Sequence, residues 1–181
     1  MTRFVCLLAL IGVLPPLVPF AASGPDPWTK LRRPLHIPQL ASGAPCPVTP
    51  AHSTRFGDAQ GPGPVWPVLG FPELKFVYPV PPSQPSYPSN WGGNKILWIA
   101  HRYHGPVLIR GAQLDGPHRV RFGNDHVPAT EMRMLSVGGN SPGGWQNRPS
   151  MTRVRAPGCY AWQVDGTTFS RVIVFKAVLW S

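Results

Sequence analysis

The pattern of apolar and polar positions is sharpest near the C-terminus, where Pro157 to Lys176 reads PGCYAWQVDGTTFSRVIVFK. Two runs rich in β-branched and aromatic residues flank Asp165-Gly166, a dipeptide that tolerates the positive φ angles of a tight hairpin turn. A two-residue turn there predicts Val164 opposite Thr167. It also puts Tyr160, Trp162 and Val164 on one face with Phe169, Arg171, Ile173 and Phe175, because side chains alternate along a strand. Cys159, Ala161, Gln163, Ser170, Val172 and Val174 take the other face. Neither face is polar throughout, as in a strand pair covered on both sides, and the aromatic face is the expected core.

Upstream, β-type patterning recurs at Glu73 to Tyr78, Lys95 to Arg102, Pro106 to Leu114, His118 to Phe122, Glu131 to Val137 and Ser150 to Arg155. Turn signals separate these runs at His104-Gly105-Pro106, Asp115-Gly116-Pro117, Gly123-Asn124-Asp125 and Gly138 to Gly143. With the hairpin this gives about eight strands, the count and spacing of an all-β antiparallel sandwich. Leu74, Phe76 and Tyr78 alternate with Lys75 and Val77 and stop at Pro79, as an edge strand does. No internal repeat and no amphipathic helix stands out.

The front of the chain differs. Of 25 prolines in 181 residues, 16 lie between Gly24 and Gly92, which argues against long helices before residue 93. Residues 24–63 read as a proline-rich arm or linker, and turn residues dominate from Cys46 to Gly63. Residues 64–181 read as the sandwich domain. Ahead of both, Arg3, the apolar run from Phe4 to Phe20 and the small residues Ala21-Ala22-Ser23 have the order of a signal peptide, cleaved after Ser23. Three prolines break the run, so a membrane span is disfavoured. The expected location is the cell envelope or the exterior.

Loss of the leader removes Cys6 and leaves Cys46 and Cys159, an even pair in an oxidising compartment and an expected disulfide. The chain carries a formal charge of +10 with only seven acids. Such a surface favours anionic partners, either an acidic envelope polymer or a membrane surface, and export argues against nucleic acid.

Trp98 in an apolar strand, the phrase VLIRGAQLDG, the basic strand HRVRF and the ending APGCYAWQVDGTTFSRVIVFKA together resemble a group of small exported bacterial proteins of unknown function. The resemblance spans about residues 91 to 177 and implies an immunoglobulin-like β-sandwich, with no implied activity. It departs from the antibody pattern, in which a tyrosine stands two residues before the second cysteine; here that position is Pro157.

Candidate chemistry is sparse. Gly139-Asn140-Ser141-Pro142-Gly143 matches a hydrolase nucleophile elbow by spelling, but the oxyanion hole needs an N–H on the residue after the serine and Pro142 has none. His101 and His104 are the candidate metal ligands, with His118, His126 and Asp125 nearby in sequence. On a strand their side chains start on opposite faces. Asp115 and Asp165 precede turn glycines, and no acid–base pair of a glycosidase is legible. No motif implies a cofactor, and a binding or structural role in the envelope is favoured over metal binding through His101 and His104 and over hydrolysis. Arg119 and Arg121, two apart in the basic strand, are the candidate ligand-binding residues, since guanidinium groups hold acidic substituents. Trp98 and Trp162 are expected in the core, with Trp28, Trp66, Trp91 and Trp145 over loops.

Overall fold

The computed structural model describes residues 26–41, 43–70, 73–139 and 141–180. The expected leader lies outside them. Two sheets pack face to face as a sandwich. One has six strands: β1 (Ala51–Thr54), β2 (Gly57–Gln60), β3 (Val65–Val68), β5 (Gly92–His101), β9 (Trp145–Val154) and β7 (Arg121–Phe122), in that spatial order. The other has five: β4 (Leu74–Phe76), β11 (Ser170–Leu179), β10 (Gly158–Gly166), β6 (Val107–Gln113) and β8 (Met132–Met134). A five-residue helix, α1 (Pro27–Leu31), opens the described chain, with Asp26 capping it by accepting from the Trp28 N–H.

The described residues hold eleven strands where about eight were expected, and the difference lies in the front of the chain. β1 and β2 fall in the stretch read as turn-rich arm, so the six-stranded sheet extends across the expected boundary at residue 64. Their sequence hides them because an edge hairpin buries little: only Ala59 and Gln60 of the eight residues are buried. Without a covered face there is no alternation to read. The sandwich is also not purely antiparallel, since β4 runs parallel to β11, with Leu74 opposite Ala177 and Phe76 opposite Leu179. β4 is an edge strand as expected.

The hairpin keeps the expected faces while its turn moves. Asp165 pairs with Ser170, and the Gly166 N–H donates to the Phe169 carbonyl at 2.9 Å, so the connection falls on Thr167 and Thr168. Moving a two-residue turn along by two residues preserves side-chain parity. The faces are therefore kept while the partners shift by four residues, so that Tyr160 meets Phe175 and Trp162 meets Ile173 on the aromatic face. Gly166 is required for space and not for a positive φ, because a Cβ there would lie 2.2 Å from the Phe169 ring.

That aromatic face is the core. Trp162 stacks on Phe175 at 3.8 Å between centroids and meets Trp98 of the opposite sheet edge-on at 5.4 Å. Val65, Ile96, Phe122 and Val154 from the six-stranded sheet close on Leu74, Phe76, Ile109, Val164 and Ile173 from the five-stranded one. Arg171, which parity puts on the same face, is exposed near the hairpin tip. The Tyr160 hydroxyl donates to the Ala156 carbonyl at 2.9 Å, and burial pushes its pKa up to about 12.

The hairpin's second face is covered by the arm. Cys46 is bonded to Cys159, 113 residues away in sequence, with Cα atoms 5.4 Å apart. Leu114, Cys159, Ala161 and Val174 form a second cluster against Ile37, Leu40 and Cys46. Hydrogen bonds fix the arm's path: Leu40 N–H to the Leu114 carbonyl at 2.8 Å, and Thr49 N–H to the Val174 carbonyl at 3.0 Å. Gln163 is fully buried under the arm, its Oε1 accepting from His36 N–H at 2.7 Å and its Nε2 donating to the Pro34 carbonyl at 3.0 Å. Asp165, fully buried, takes Arg110 at 2.7 Å, Arg33 at 3.5 Å and the Ser170 hydroxyl at 2.6 Å. The turn role expected of Asp165 is thus replaced by an ionic one.

Reduction of Cys46–Cys159, or Cys46→Ser, is expected to lower the melting temperature and speed amide exchange over residues 33–49 first. A crosslink closing so long a loop is worth about 4 to 5 kcal/mol on the chain-entropy account. An unchanged melting temperature under reductant would contradict the arm's role. For Tyr160 the pKa is raised on folding, so its stabilising contribution is complete below about pH 10 and is lost as pH rises toward about 12. The loss over that window is about 2 to 3 kcal/mol. Denaturant titrations at pH 9 and pH 12 on the protein and on Tyr160→Phe measure it, with the variant showing the shallower decline.

Candidate anion-binding surface

The basic segment expected as one strand, His118 to Phe122, is divided between the two sheets. Its first half follows β6: the Gln113 N–H donates to the His118 carbonyl, Arg119 bridges to Ala112, and the Val120 N–H donates to the Gly111 carbonyl. Its second half is β7, with Arg121 opposite Arg153 and Phe122 opposite Thr152 on β9. The segment therefore crosses the open side of the sandwich. Val120 and Phe122 go into the core, and the alternation that buries them turns Arg119 and Arg121 outward.

Arg119 and Arg121 line a common cavity of about 330 Å³ with Leu35, Arg110, Thr130 and Glu131. The two other charged groups there are already matched. Arg110 belongs to Asp165, and Glu131 accepts from Arg32 at 2.8 Å and from Arg133 at 2.6 Å. The Arg32 hydrogen bond leads the effects that hold the Glu131 carboxyl below its usual range, so it is ionised and saturated at neutral pH. Neither Arg119 nor Arg121 forms an ion pair with an acid among the described residues.

A second group adjoins the first. The Arg121 guanidinium lies 5.3 Å from the centroid of the Trp91 ring and that of Arg155 lies 4.4 Å from it, distances at which the ring's π face attracts a cation. Trp91 and Arg155 line a cavity of about 330 Å³ with Ser89, Asn90, His126 and Val127. Arg119, Arg121 and Arg155 thus follow one another along the β7 side of the molecule, with an indole held between the last two.

Arg153 explains why Trp91 stays there. It is 1% exposed and has no acid partner among the described residues. Its guanidinium donates to the Trp91 carbonyl through Nε at 2.8 Å and also through Nη2, to the Ser89 hydroxyl at 3.1 Å and to the Gly123 carbonyl at 3.3 Å. Desolvation pulls its pKa below the ordinary arginine range, yet a guanidinium remains charged in proteins. Opposite it stands Gly93, where a Cβ would lie 2.6 Å from the Arg153 Cδ. A glycine on one strand makes room for a buried arginine on the next, and that arginine ties the 88–91 loop to the 123–128 loop.

The remaining sequence candidates are engaged elsewhere. His101 stacks on Trp145 at 4.4 Å, with Nε2 3.2 Å from the Gly143 carbonyl, while His104 Nδ1 meets Gln146 at 2.7 Å. Among the described residues no three His, Cys, Asp or Glu side chains gather as metal ligands would. The Ser141 hydroxyl accepts weakly from Asn147 at 3.4 Å and meets no histidine. Trp66 and Trp145, with His52, Phe56 and His101, form an aromatic group on the outer face of the six-stranded sheet. A surface cavity of about 400 Å³ beside Phe56, Asp58 and Leu69 is lined by none of Arg119, Arg121 and Arg155.

Sequence reasoning missed Arg155, Trp91 and Arg153. Arg153 and Arg155 are two apart in a predicted strand, the same signal that singled out Arg119 and Arg121. That the two arginine pairs are neighbours depends on β7 pairing with β9, which no local pattern carries.

No family model and no curated protein matches the sequence. A crystal structure described as a "Putative Lipoprotein from Bacillus anthracis" is similar at a TM-score of 0.49 and 10% identity, over 75% of this chain and 88% of that one. No helix among the described residues is long and apolar enough to cross a membrane.

Arg153→Lys is expected to destabilise the 88–91 loop while leaving the sandwich folded, because a single ammonium cannot span three acceptors in a fixed fork. Amide exchange should accelerate at residues 88–91 and 123–128, with a cost of about 1 to 3 kcal/mol for unsatisfied carbonyls. Unchanged exchange in both loops would show that the arginine does not hold them.

Proposed function

We propose that the protein is an exported binding protein of the cell envelope that holds a polyanionic component through Arg119, Arg121 and Arg155. The observation that carries this is the succession of three outward guanidinium groups without acid partners among the described residues, two of them against Trp91. Arginine forks bind carboxylate or phosphate oxygens in pairs, and the formal charge of the chain, +10 and one less once the leader with Arg3 is removed, draws anions toward the surface from a distance. The apolar leader at residues 1–23 is what supports export, and the disulfide suits an oxidising compartment.

The finer assignment of the sandwich as immunoglobulin-like belongs to the same proposal. Tyr160 supports it, since its hydroxyl returns to a carbonyl four residues upstream as the tyrosine corner of that fold does. The disulfide departs from it: in antibody domains it joins the two sheets, and here it joins the arm to the outer face of one.

Binding of the mature protein to alginate, an acidic polysaccharide, against dextran, a neutral one, is the first test. Affinity for alginate should fall as salt rises, because charges more than about 8 Å apart are largely screened at physiological ionic strength. Arg119→Glu with Arg121→Glu should reduce it further at low salt without lowering the melting temperature. Equal retention on both polymers, or indifference to salt and to charge reversal, would remove this function.

A further inference from the structure

The basic surface ends in two exposed apolar tips that an acidic polymer would have no use for. Val127 is 79% exposed and Tyr87 is 50% exposed. Val127 shares the Trp91 cavity with Pro88, and Tyr87 directly precedes Pro88 in the chain. A single exposed valine or tyrosine is ordinary on a soluble protein. These two lie on separate loops that are locked together: the Ser89 hydroxyl donates to the His126 carbonyl at 3.2 Å, and Arg153 bonds Ser89, Trp91 and Gly123 at once. A buried cation thus holds the loop that follows Tyr87 against the loop that carries Val127, with Arg155 lining the same cavity as Val127 and Arg121 against Trp91.

We infer that this end of the sandwich docks on an anionic lipid bilayer, resting on the polyanion reading above. Val127 and Tyr87 enter the headgroup boundary, Trp91 sits at its level, and Arg121 and Arg155 pair with lipid phosphates. The chemistry is that of an interfacial anchor, where apolar insertion and cationic attraction act together and each alone is weak. Tryptophan and tyrosine favour the boundary because their rings have an apolar body and a polar edge. Because the loops are already fixed by Arg153, docking orders little additional chain, which lowers its entropic cost. A hydrated polysaccharide offers no apolar phase for Val127, and this decides for a lipid surface over a soluble polymer. Asp125, exposed in the same loop, opposes the attraction and provides an internal control.

The test is co-sedimentation of the full mature chain with vesicles of phosphatidylcholine and of phosphatidylcholine with phosphatidylglycerol, beside binding to soluble alginate. Val127→Ser and Tyr87→Ser should each weaken attachment to the anionic vesicles about five- to tenfold and leave alginate binding unchanged. Arg155→Gln should weaken both about fivefold, the effect of one cation near an anionic surface, and Asp125→Asn should strengthen both. Both apolar sites are exposed, so unchanged melting temperatures verify the fold of those variants. Attachment to anionic vesicles that depends on Arg155 and ignores Val127 and Tyr87 would overturn the docking inference and keep the polyanion reading. Binding to alginate alone would do the same, and binding to neither would overturn both.

Discussion

The five-stranded sheet has no face suited to water, and the arm that covers its outer side is what allows it to exist as built. Of the β10 residues on that side, Cys159, Ala161, Gln163 and Asp165 are all buried, though the last two are polar. An amide and a carboxylate taken out of water cost several kcal/mol between them unless their hydrogen-bonding groups are matched. The matching groups come from the arm: the Pro34 carbonyl, the His36 N–H and the Arg33 guanidinium, with Arg110 completing the set from β6. Removing the arm would take the Pro34 and His36 partners from Gln163 and Arg33 from Asp165 and would uncover the cluster around Cys159 and Val174, so arm and sheet form one cooperative structure.

Proline suits this arm. An arm in contact with a sheet through alternate backbone groups needs an extended path and few internal hydrogen bonds, which fixed φ angles favour. Leu40 and Thr49 donate to the sheet while the prolines between and around them, lacking N–H groups, leave no donor unsatisfied. The disulfide holds the arm at Cys159, between the Gln163–Asp165 contacts at one end and Thr49 at the other. Asp115, placed by sequence in a turn, steadies the same point by accepting from the Cys159 N–H at 3.0 Å.

How much of this the sequence disclosed follows from where burial leaves a periodic trace. Trp98, Trp162 and the aromatic face of the hairpin were legible because strong alternation survives a misplaced turn, provided the loop keeps an even number of residues. The doubly apolar character of β10 was legible as well; the identity of its cover was not, because Ile37 and Leu40 in a proline-rich stretch show no period. β1 and β2 were invisible since they bury almost nothing. At the candidate surface the pair Arg119 and Arg121 could be read as an i, i+2 motif. Its union with Arg155 and Trp91 required a long-range pairing of β7 with β9, and the burial of Arg153 under the 88–91 loop leaves no local trace.

The placement of the acids explains why so small a number of arginines can define a surface. The chain has seven acids against 17 lysines and arginines. Asp165 is consumed by Arg110 and Arg33, Glu131 by Arg32 and Arg133, and Glu73 by Lys176, while Asp26 caps α1 and Asp115 caps β10. Most of the negative charge is therefore committed to holding the arm and the strand ends, and it cancels cations that the fold itself uses. At the β7 edge the cations exceed the one acid of the adjoining loop, Asp125: Arg119, Arg121 and Arg155 face outward with no ion pair among the described residues, and even the buried Arg153 is solvated by carbonyl and hydroxyl oxygens instead of a carboxylate. Local positive potential at that edge is thus a direct consequence of using scarce acids as structural clamps elsewhere, and it would persist however the exposed lysines and arginines of the other faces were varied.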